Sequence, residues 1–584
     1  MHAQERTIGR LWRDAIAATH PDPAYLVETG GEWREVSWSE VAMRVDELAN
    51  GLLALGVRKG DAFGILGSTR LEWALFDFAL ALVGGITAPI YANSSPADCA
   101  YLLGHSEAVG VLAEDEEQLA KIEDVRERIP GVRHLLTFSD LDGLAEAWRN
   151  FAAAEPAALA AAEAAVAEED LFTYIYTSGT TGPPKGCMIR HRNYYGMASI
   201  IDRLDDLVTP GDVMLLYLPL AHNFGRLMHL TGPYVGYTIA FCPDPYRVAD
   251  ALTAVRPTVF PSVPRIYEKI DTAVTAAFDE TTGAKRGLLD WALRVGRKTS
   301  ALREAGRPLP WALSLQHRLA DGLVYAKVKR RLGGRLRIGI SGGAPLAVEI
   351  ARRFHTLDIL ILEGYGLTEC TTAATVNRPT RYRFGTVGPA LPGVELEIAE
   401  DGEILVRSET LFAGYYKDVE ATRAVLGDDG WLRTGDVGEL DEDGFLHVTD
   451  RKKDILVTAG GKNVAPQNLE NELKVSKYVS QALVVGDRRP YVAALIALDT
   501  EELAKWLAGG GKDVGTLVQG LVDEVNARHS RFEQIKRFEV LPRDFSAAEG
   551  EVTPTLKLRR RVCEQHFAAE IEKLYAGEKK PGTD

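Results

Sequence analysis

Cysteine is scarce: five residues in 584 (Cys99, Cys187, Cys242, Cys370 and Cys563), none in a Cys-x-x-Cys pair. That argues against a disulfide framework or a thiolate zinc site and fits a reducing cytosol. A long charge-free apolar run is also lacking. The most apolar window, Trp73 to Tyr91, is broken by Asp77, Gly84-Gly85 and Pro89. A membrane span needs about 20 consecutive apolar residues. The window therefore reads as a buried helix through about Val83, followed by a buried strand from Ile86 to Tyr91. The opening residues, Met1 to Arg6, are polar and carry no signal core. Positive charge is in deficit: the net charge is -15 and the pI about 5.4, which argues against a general nucleic-acid binder. Internal repeats are absent.

What is present is an ordinary globular composition, 46% apolar and 26% charged. Its length implies several domains, or a large one with a small companion. Strand-like runs alternate with helical stretches: Phe63 to Leu66, Gly110 to Leu112, Val213 to Leu218, Thr238 to Cys242, Val259 to Pro261 and Leu336 to Ser341. This predicts an α/β layered core with largely parallel sheets. The Ala/Glu-rich stretch Ala152 to Glu169 predicts one solvated helix. From Glu395, short strands and Asp/Gly turns predict a small β-rich subdomain. The charged segment Asp450 to Asp454 is the candidate hinge. It divides residues 1–449 from a small α+β unit, 450–584, whose tail from Gly577 should be disordered.

The stretch Tyr176-Thr-Ser-Gly-Thr-Thr-Gly-Pro-Pro-Lys-Gly186 carries the strongest signal. A strand, Leu171 to Tyr176, opens there into a Gly/Thr loop closed by one lysine. Backbone N–H groups and hydroxyls on one concave surface suit a polyphosphate. The loop is not a Walker A motif, because no Gly-Lys-Ser/Thr follows the spacer. A plain flexible turn would not need two adjacent prolines and so many hydroxyls.

Further motifs follow in order: Leu218-Pro-Leu-Ala-His-Asn-Phe224, Ser341-Gly-Gly-Ala-Pro-Leu346 and Glu363-Gly-Tyr-Gly-Leu-Thr-Glu369, then Trp431-Leu-Arg-Thr-Gly-Asp436, Asp450-Arg-Lys-Lys-Asp454 and Thr553-Pro-Thr-Leu-Lys557. Together they resemble the adenylate-forming superfamily: acyl-CoA synthetases, luciferases and peptide-synthetase adenylation domains. The helical, basic insert Pro264 to Arg337 and its opening segment resemble the bacterial long-chain fatty acyl-CoA synthetase branch. The resemblance implies that fold, a large α/β N-terminal domain with a β-rich subdomain and a small mobile C-terminal lid.

It also implies roles. Thr177, Ser178, Gly179, Thr180, Thr181, Gly182 and Lys185 would hold the ATP phosphates. Thr368 would touch the α-phosphate, and Glu369 with Thr181 would bind Mg2+, a cation that prefers oxygen. Taken alone, Glu369 reads equally well as a helix-start carboxylate. Tyr365, flanked by Gly366 and preceded by Glu363 in the same motif, would stack on adenine opposite Gly342-Gly343-Ala344. Asp436 would accept both ribose hydroxyls, with Arg451 contacting the ribose from the lid side. His222 would orient and gate the acyl carboxylate. Lys557 would reach that carboxylate and the α-phosphate; its motif lacks the Gly-Lys many members show, and Arg559, Arg560 and Arg561 compete with it. Lys453 sits at the hinge, and Gly460 and Lys462 would approach pantetheine of CoA after the lid turns. The basic run Lys327 to Arg337 suits CoA phosphates, an anionic membrane surface or a solvated helix end.

The implied reaction joins a fatty acid to CoA through acyl-AMP, with ATP and Mg2+, in the cytoplasm, with peripheral membrane contact open and no nucleic-acid partner. A carboxylate and a triphosphate must be brought together, so charge neutralisation and alignment dominate. The alternatives are an acyl-AMP ligase serving a carrier protein, a degenerate adenylate-binding scaffold and, with no residue arguing for it, a luciferase-type oxidase. The second predicts missing charged groups, yet Lys185, Glu369, Asp436 and Lys557 are all present. No carrier domain follows the lysine motif, which favours free CoA.

Overall fold

Val/Ile/Leu-rich runs become buried strands wherever both faces are covered by helices. In the computed structural model, which describes residues 5–143, 145–177, 183–204, 207–546, 549–553 and 558–576, they build two large sheets. One has eight strands, in the order Thr375–Val376, Leu360–Tyr365, Ile338–Ser341, Val259–Ser262, Val213–Leu216, Thr238–Phe241, Tyr25–Thr29 and Glu32–Val36. Its inner six strands are parallel and its two edge strands antiparallel. The other has six: His134–Thr137, Gly110–Ala113, Ala62–Gly67, Ile86–Tyr91, Leu171–Thr177 and Lys185–Arg190. Only its last pair is antiparallel.

The Trp73 window divides as expected. Helix Leu71–Val83 is buried along nearly its whole length, and strand Ile86–Tyr91 follows. Among the described residues no helix is long and apolar enough to cross a membrane. Arg226 and Asp77, both fully buried, form an ion pair at the centre of this layer, and Arg226 also donates to Thr173 Oγ1 at 2.5 Å. Its guanidinium ties helix Asn223–Val235 to the strand that enters the glycine-rich loop.

The Ala152 to Glu169 expectation does not hold as one helix. Helix Ala145–Ala154 stops, and Ala158–Ala164 begins afresh. Pro156 lies between them and has no N–H to continue the ladder. The β-rich subdomain is a four-stranded antiparallel sheet, Glu395–Ile398, Glu403–Arg407, Leu432–Leu440 and Leu446–Arg451. Its last strand includes Asp450 and Arg451, which pair with Val437 and Asp436. From Leu456 onward the chain builds its own apolar clusters around strands Val479–Val485, Val492–Leu498 and Ile535–Val540. This part leans on helix Pro264–Asp279. Arg265 donates to Ser480 O and Oγ at 2.6 and 2.7 Å, Lys474 pairs with Glu268 at 3.1 Å, and Lys477 pairs with Asp279 at 2.7 Å. The tail from Gly577 lies outside the described residues.

Candidate active site

The site gathers where parallel strands end, the usual place for ligands in open α/β sheets. Ser341 closes one strand, Tyr365 the next, and Thr177 ends the strand that enters the glycine-rich loop. Ser178, Gly179, Thr180, Thr181 and Gly182 lie outside the described residues. The loop's two feet are described. Thr177 and Lys185 are paired across an antiparallel hairpin.

Lys185 Nζ lies 3.5 Å from Asp418 Oδ2 and 5.2 Å from the centre of the Tyr415 ring. The Tyr415 hydroxyl donates to Glu369 Oε1 at 2.6 Å. One tyrosine thus bridges the loop lysine and the candidate metal carboxylate, far apart in sequence. Segment 413–416 is anchored by backbone bonds: Met188 N–H to Gly414 O at 2.9 Å and Tyr416 N–H to Gly186 O at 2.8 Å. Motif reading missed Tyr415; the local signal is the aromatic pair after glycine in Phe412-Ala-Gly-Tyr-Tyr416. Tyr415→Phe is expected to lower the first half-reaction about 10- to 100-fold, because a bond to a charged group contributes about 1.5–3 kcal/mol. ATP–pyrophosphate exchange reads it; unchanged exchange would remove Tyr415 from the site.

Thr368 and Glu369 stand on a single 3-10 turn, Thr368–Cys370. The turn is followed by two residues in the left-handed region, Thr371 (φ 54°) and Thr372 (φ 88°). Such strain in non-glycine residues clusters at functional sites. Thr371 Oγ1 donates to Thr410 O at 2.5 Å, and Thr372 Oγ1 donates to Asn223 O at 3.2 Å. Gly366 is required here: a Cβ would meet Thr372 O at 1.8 Å.

Tyr365 donates to Asp436 Oδ2 at 2.7 Å, and Arg451 Nε lies 3.1 Å from Asp436 Oδ1. Asp436 is only 4% exposed. Burial and the Asp436 charge push the Tyr365 phenol well above its usual range, so it stays a donor. The Gly342-Gly343-Ala344 turn follows Ser341, with Gly343 at φ 85°, where side chains strain. A Cβ on Gly342 would stand 3.3 Å from the Phe224 ring, so this turn abuts the His222 region. His222 caps helix Asn223–Val235, its Nδ1 accepting from Phe224 N–H at 3.2 Å. Asn223 Nδ2 and Ser341 Oγ are buried without a partner among the described residues. A polar ligand that supplied partners would offset a cost of about 1–3 kcal/mol each.

Glu363 faces inward, accepting from Leu346 N–H at 3.1 Å, and so holds the Gly342 turn to its strand. Burial pushes its carboxyl up to about 7, against an ordinary 4.5. A raised folded-state value favours the protonated form. That stability is full below the unfolded value and is lost as pH rises through about 7. Relative to Glu363→Gln, the wild type should lose on the order of 3 kcal/mol from about pH 4 to about pH 8. Urea melts at both pH values check this; parallel curves would contradict it.

In the C-terminal part, Lys453 lies two residues after Arg451, and Gly460 and Lys462 lie on an exposed turn between short strands Leu456–Val457 and Asn463–Val464. Lys462 Nζ sits 5.9 Å from the Phe532 ring centre. Lys557 lies outside the described residues. Its flanks are pinned, because Val552 and Leu558 form an antiparallel bridge. Beneath them Glu551 binds Arg543 and His566, and the Arg543 hydrogen bonds hold its carboxylate down to about 2. Of the competing arginines, Arg560 is committed to Glu470 at 2.7 Å and Val484 O, and Arg559 reaches Gly550 O at 3.4 Å.

The site thus gathers a buried carboxylate bonded to Tyr365 and Arg451, an aromatic beside a glycine turn, and a lysine next to a second carboxylate. Residues 13–416 match the AMP-binding enzyme family, and 453–579 match the AMP-binding enzyme C-terminal domain. The chain belongs to this family, in its long-chain acyl-CoA synthetase branch. It is 37% identical to the long-chain-fatty-acid–CoA ligase FadD15 of Mycobacterium bovis, over 95% of each chain. Two solved structures share the fold. The anthranilate CoA ligase AuaEII with anthranoyl-AMP gives a TM-score of 0.76 at 21% identity, covering 97% of this chain and 99% of that one. The adenylation domain of a Mycobacterium chelonae carboxylate reductase gives 0.77 at 24%, covering 98% and 92%.

Proposed function

We propose that the protein is a long-chain fatty acid:CoA ligase. It activates the acid with ATP to acyl-AMP, releasing pyrophosphate, and passes the acyl group to the CoA thiol. The observation that carries the site reading is the convergence of separate motifs on Asp436 (Tyr365 and Arg451) and on Tyr415 (Lys185 and Glu369). The ligase relative, similar over nearly its full length, supports the acyl and CoA substrates.

In this reading Asp436 fixes the ribose, Tyr365 covers adenine, and Lys185 with the loop from Ser178 to Gly182 takes the outer phosphates. Mg2+, when bound, neutralises phosphate charge. Glu369 suits it, since its Oε1 is held by Tyr415 and its Oε2 makes no hydrogen bond among the described residues. One carboxylate is enough for Mg2+ when phosphates supply other ligands. Thr368 steadies the α-phosphate, and His222 orients the acyl carboxylate. Residues 450–584 form the lid, hinged at 450–454, which brings Lys557 in for the first step and Gly460 and Lys462 towards pantetheine for the second. Five buried, unpaired cysteines fit work in the cytoplasm.

The test is ATP–pyrophosphate exchange and thioester release across C2 to C20 fatty acids, with and without CoA. Exchange with acyl-CoA product peaking at long chains is expected. Exchange without thioester would move the acceptor to a carrier protein, and no exchange with any acid would overturn the reading.

A further inference from the structure

The helical insert is a basic island on an acidic protein. Residues 283–335 hold thirteen Lys and Arg against three Asp and Glu, a net +10 in a chain whose total is -15. Helix Trp311–Ala320, a π turn Asp321–Tyr325 and helix Ala326–Arg331 run on without a break. Their inner side buries His317, Ala320, Tyr325 and Val328. Their outer side leaves Trp311 82%, Leu315 54%, Leu319 52% and Leu323 48% exposed.

Scattered exposed leucines need no explanation. These four recur every fourth residue, so they lie along one face. Steps of four drift about 40° per step on an α-helix, and the wider π turn slows that drift. Exposed Arg307, Arg318, Lys327, Arg330 and Arg331 accompany the stripe, and none has an acidic partner among the described residues. Exposed arginines elsewhere include paired ones, such as Arg10–Asp14, Arg34–Glu40 and Arg407–Glu395, and single ones unpaired among the described residues, such as Arg58 and Arg128; what sets this face apart is that five unpaired cations flank one apolar stripe.

An unpartnered apolar stripe with unneutralised cations selects its occupant by charge. In a symmetric pair, a second copy would bring the same +10 face against this one. A nucleic acid offers phosphates but nothing for four bulky apolar side chains to enter. An anionic bilayer offers both, with headgroup phosphates above an apolar layer. Tryptophan suits that boundary, and arginine stems lie along apolar surface with their heads in the headgroup layer.

We propose that this face docks the protein peripherally on an anionic lipid bilayer, with Trp311, Leu315, Leu319 and Leu323 sunk into the interface and the surrounding cations on headgroups. The docking goes beyond the ligase reading and does not depend on it. If that reading holds, docking places the enzyme where long-chain acids partition.

The test is co-sedimentation of the full chain with phosphatidylcholine vesicles, with and without phosphatidylglycerol, at low and high salt. Binding to phosphatidylglycerol vesicles that weakens with salt is expected. Trp311→Ser/Leu315→Ser/Leu319→Ser should lower the partition coefficient at least about 10-fold, and Arg307→Glu/Arg318→Glu should do likewise, since each surface cation contributes about 1 kcal/mol. The apolar triple variant should keep the wild-type exchange rate with a short soluble acid and the same thermal midpoint. No vesicle binding by the wild type, or equal binding by wild type and both variants, would overturn the proposal. So would a wild-type dimer in sedimentation velocity that becomes monomeric on Trp311→Ser, which would assign the stripe to a second copy.

Discussion

Lys557→Ala should abolish acyl-AMP formation while largely sparing thioester formation from supplied acyl-AMP. The first half-reaction drives a carboxylate onto a phosphate, so two anions approach within bonding distance. An ammonium between them stabilises the charge as it builds. Losing one such preorganised stabiliser costs about 10²–10³ in rate. The second half-reaction begins from a neutral acyl carbon on a good leaving group and needs no such bridge. The bridge between Val552 and Leu558 and the bound Glu551 beneath it fix the base of the lysine segment. Arg560, already committed to Glu470, is not free to substitute. Single-turnover measurement of each half-reaction separates them. Equal loss in both would reassign Lys557 from adenylation to a general structural role.

Asp436→Ala should raise the KM for ATP about 10²–10³-fold and leave the KM for the fatty acid nearly unchanged. Hydrogen bonds to a charged group contribute about 1.5–3 kcal/mol each, and a ribose presents two hydroxyls. Binding made equally in ground and transition states appears in KM. The variant also strands Tyr365 and Arg451, whose present partner is this carboxylate. Asp436→Asn separates the effects, because it keeps an acceptor for Tyr365 and loses the charge facing Arg451. Its KM should fall between the two. A parallel rise in both substrates' KM values would indicate that the loss is architectural and would remove Asp436 from the ribose site.

The sequence by itself determined much of this protein. The layered α/β core follows from apolar runs of strand length between helical stretches, such as Ala62–Gly67 and Ile86–Tyr91. The collinear motifs carried the resemblance to the adenylate-forming superfamily, and that resemblance implied the activation chemistry. Local chemistry also misled where one residue decided. Pro156 splits the helix expected through the alanine-rich stretch. In the same way, the Glu363-Gly-Tyr-Gly sequence does not say that the Glu363 carboxyl turns to the Leu346 amide. Side-chain direction is set by what packs from distant segments, and no local pattern encodes it.

Only the tertiary structure decided which distant groups meet. Tyr415 joins Lys185 to Glu369 because segment 413–416 pairs with the edge of the strand that begins at Lys185. The Trp311 stripe was legible only as part of a helical insert, since periodicity shows that a helix has a face but not whether that face is covered. Burial is a property of the neighbours a residue acquires, and those neighbours come from elsewhere in the chain.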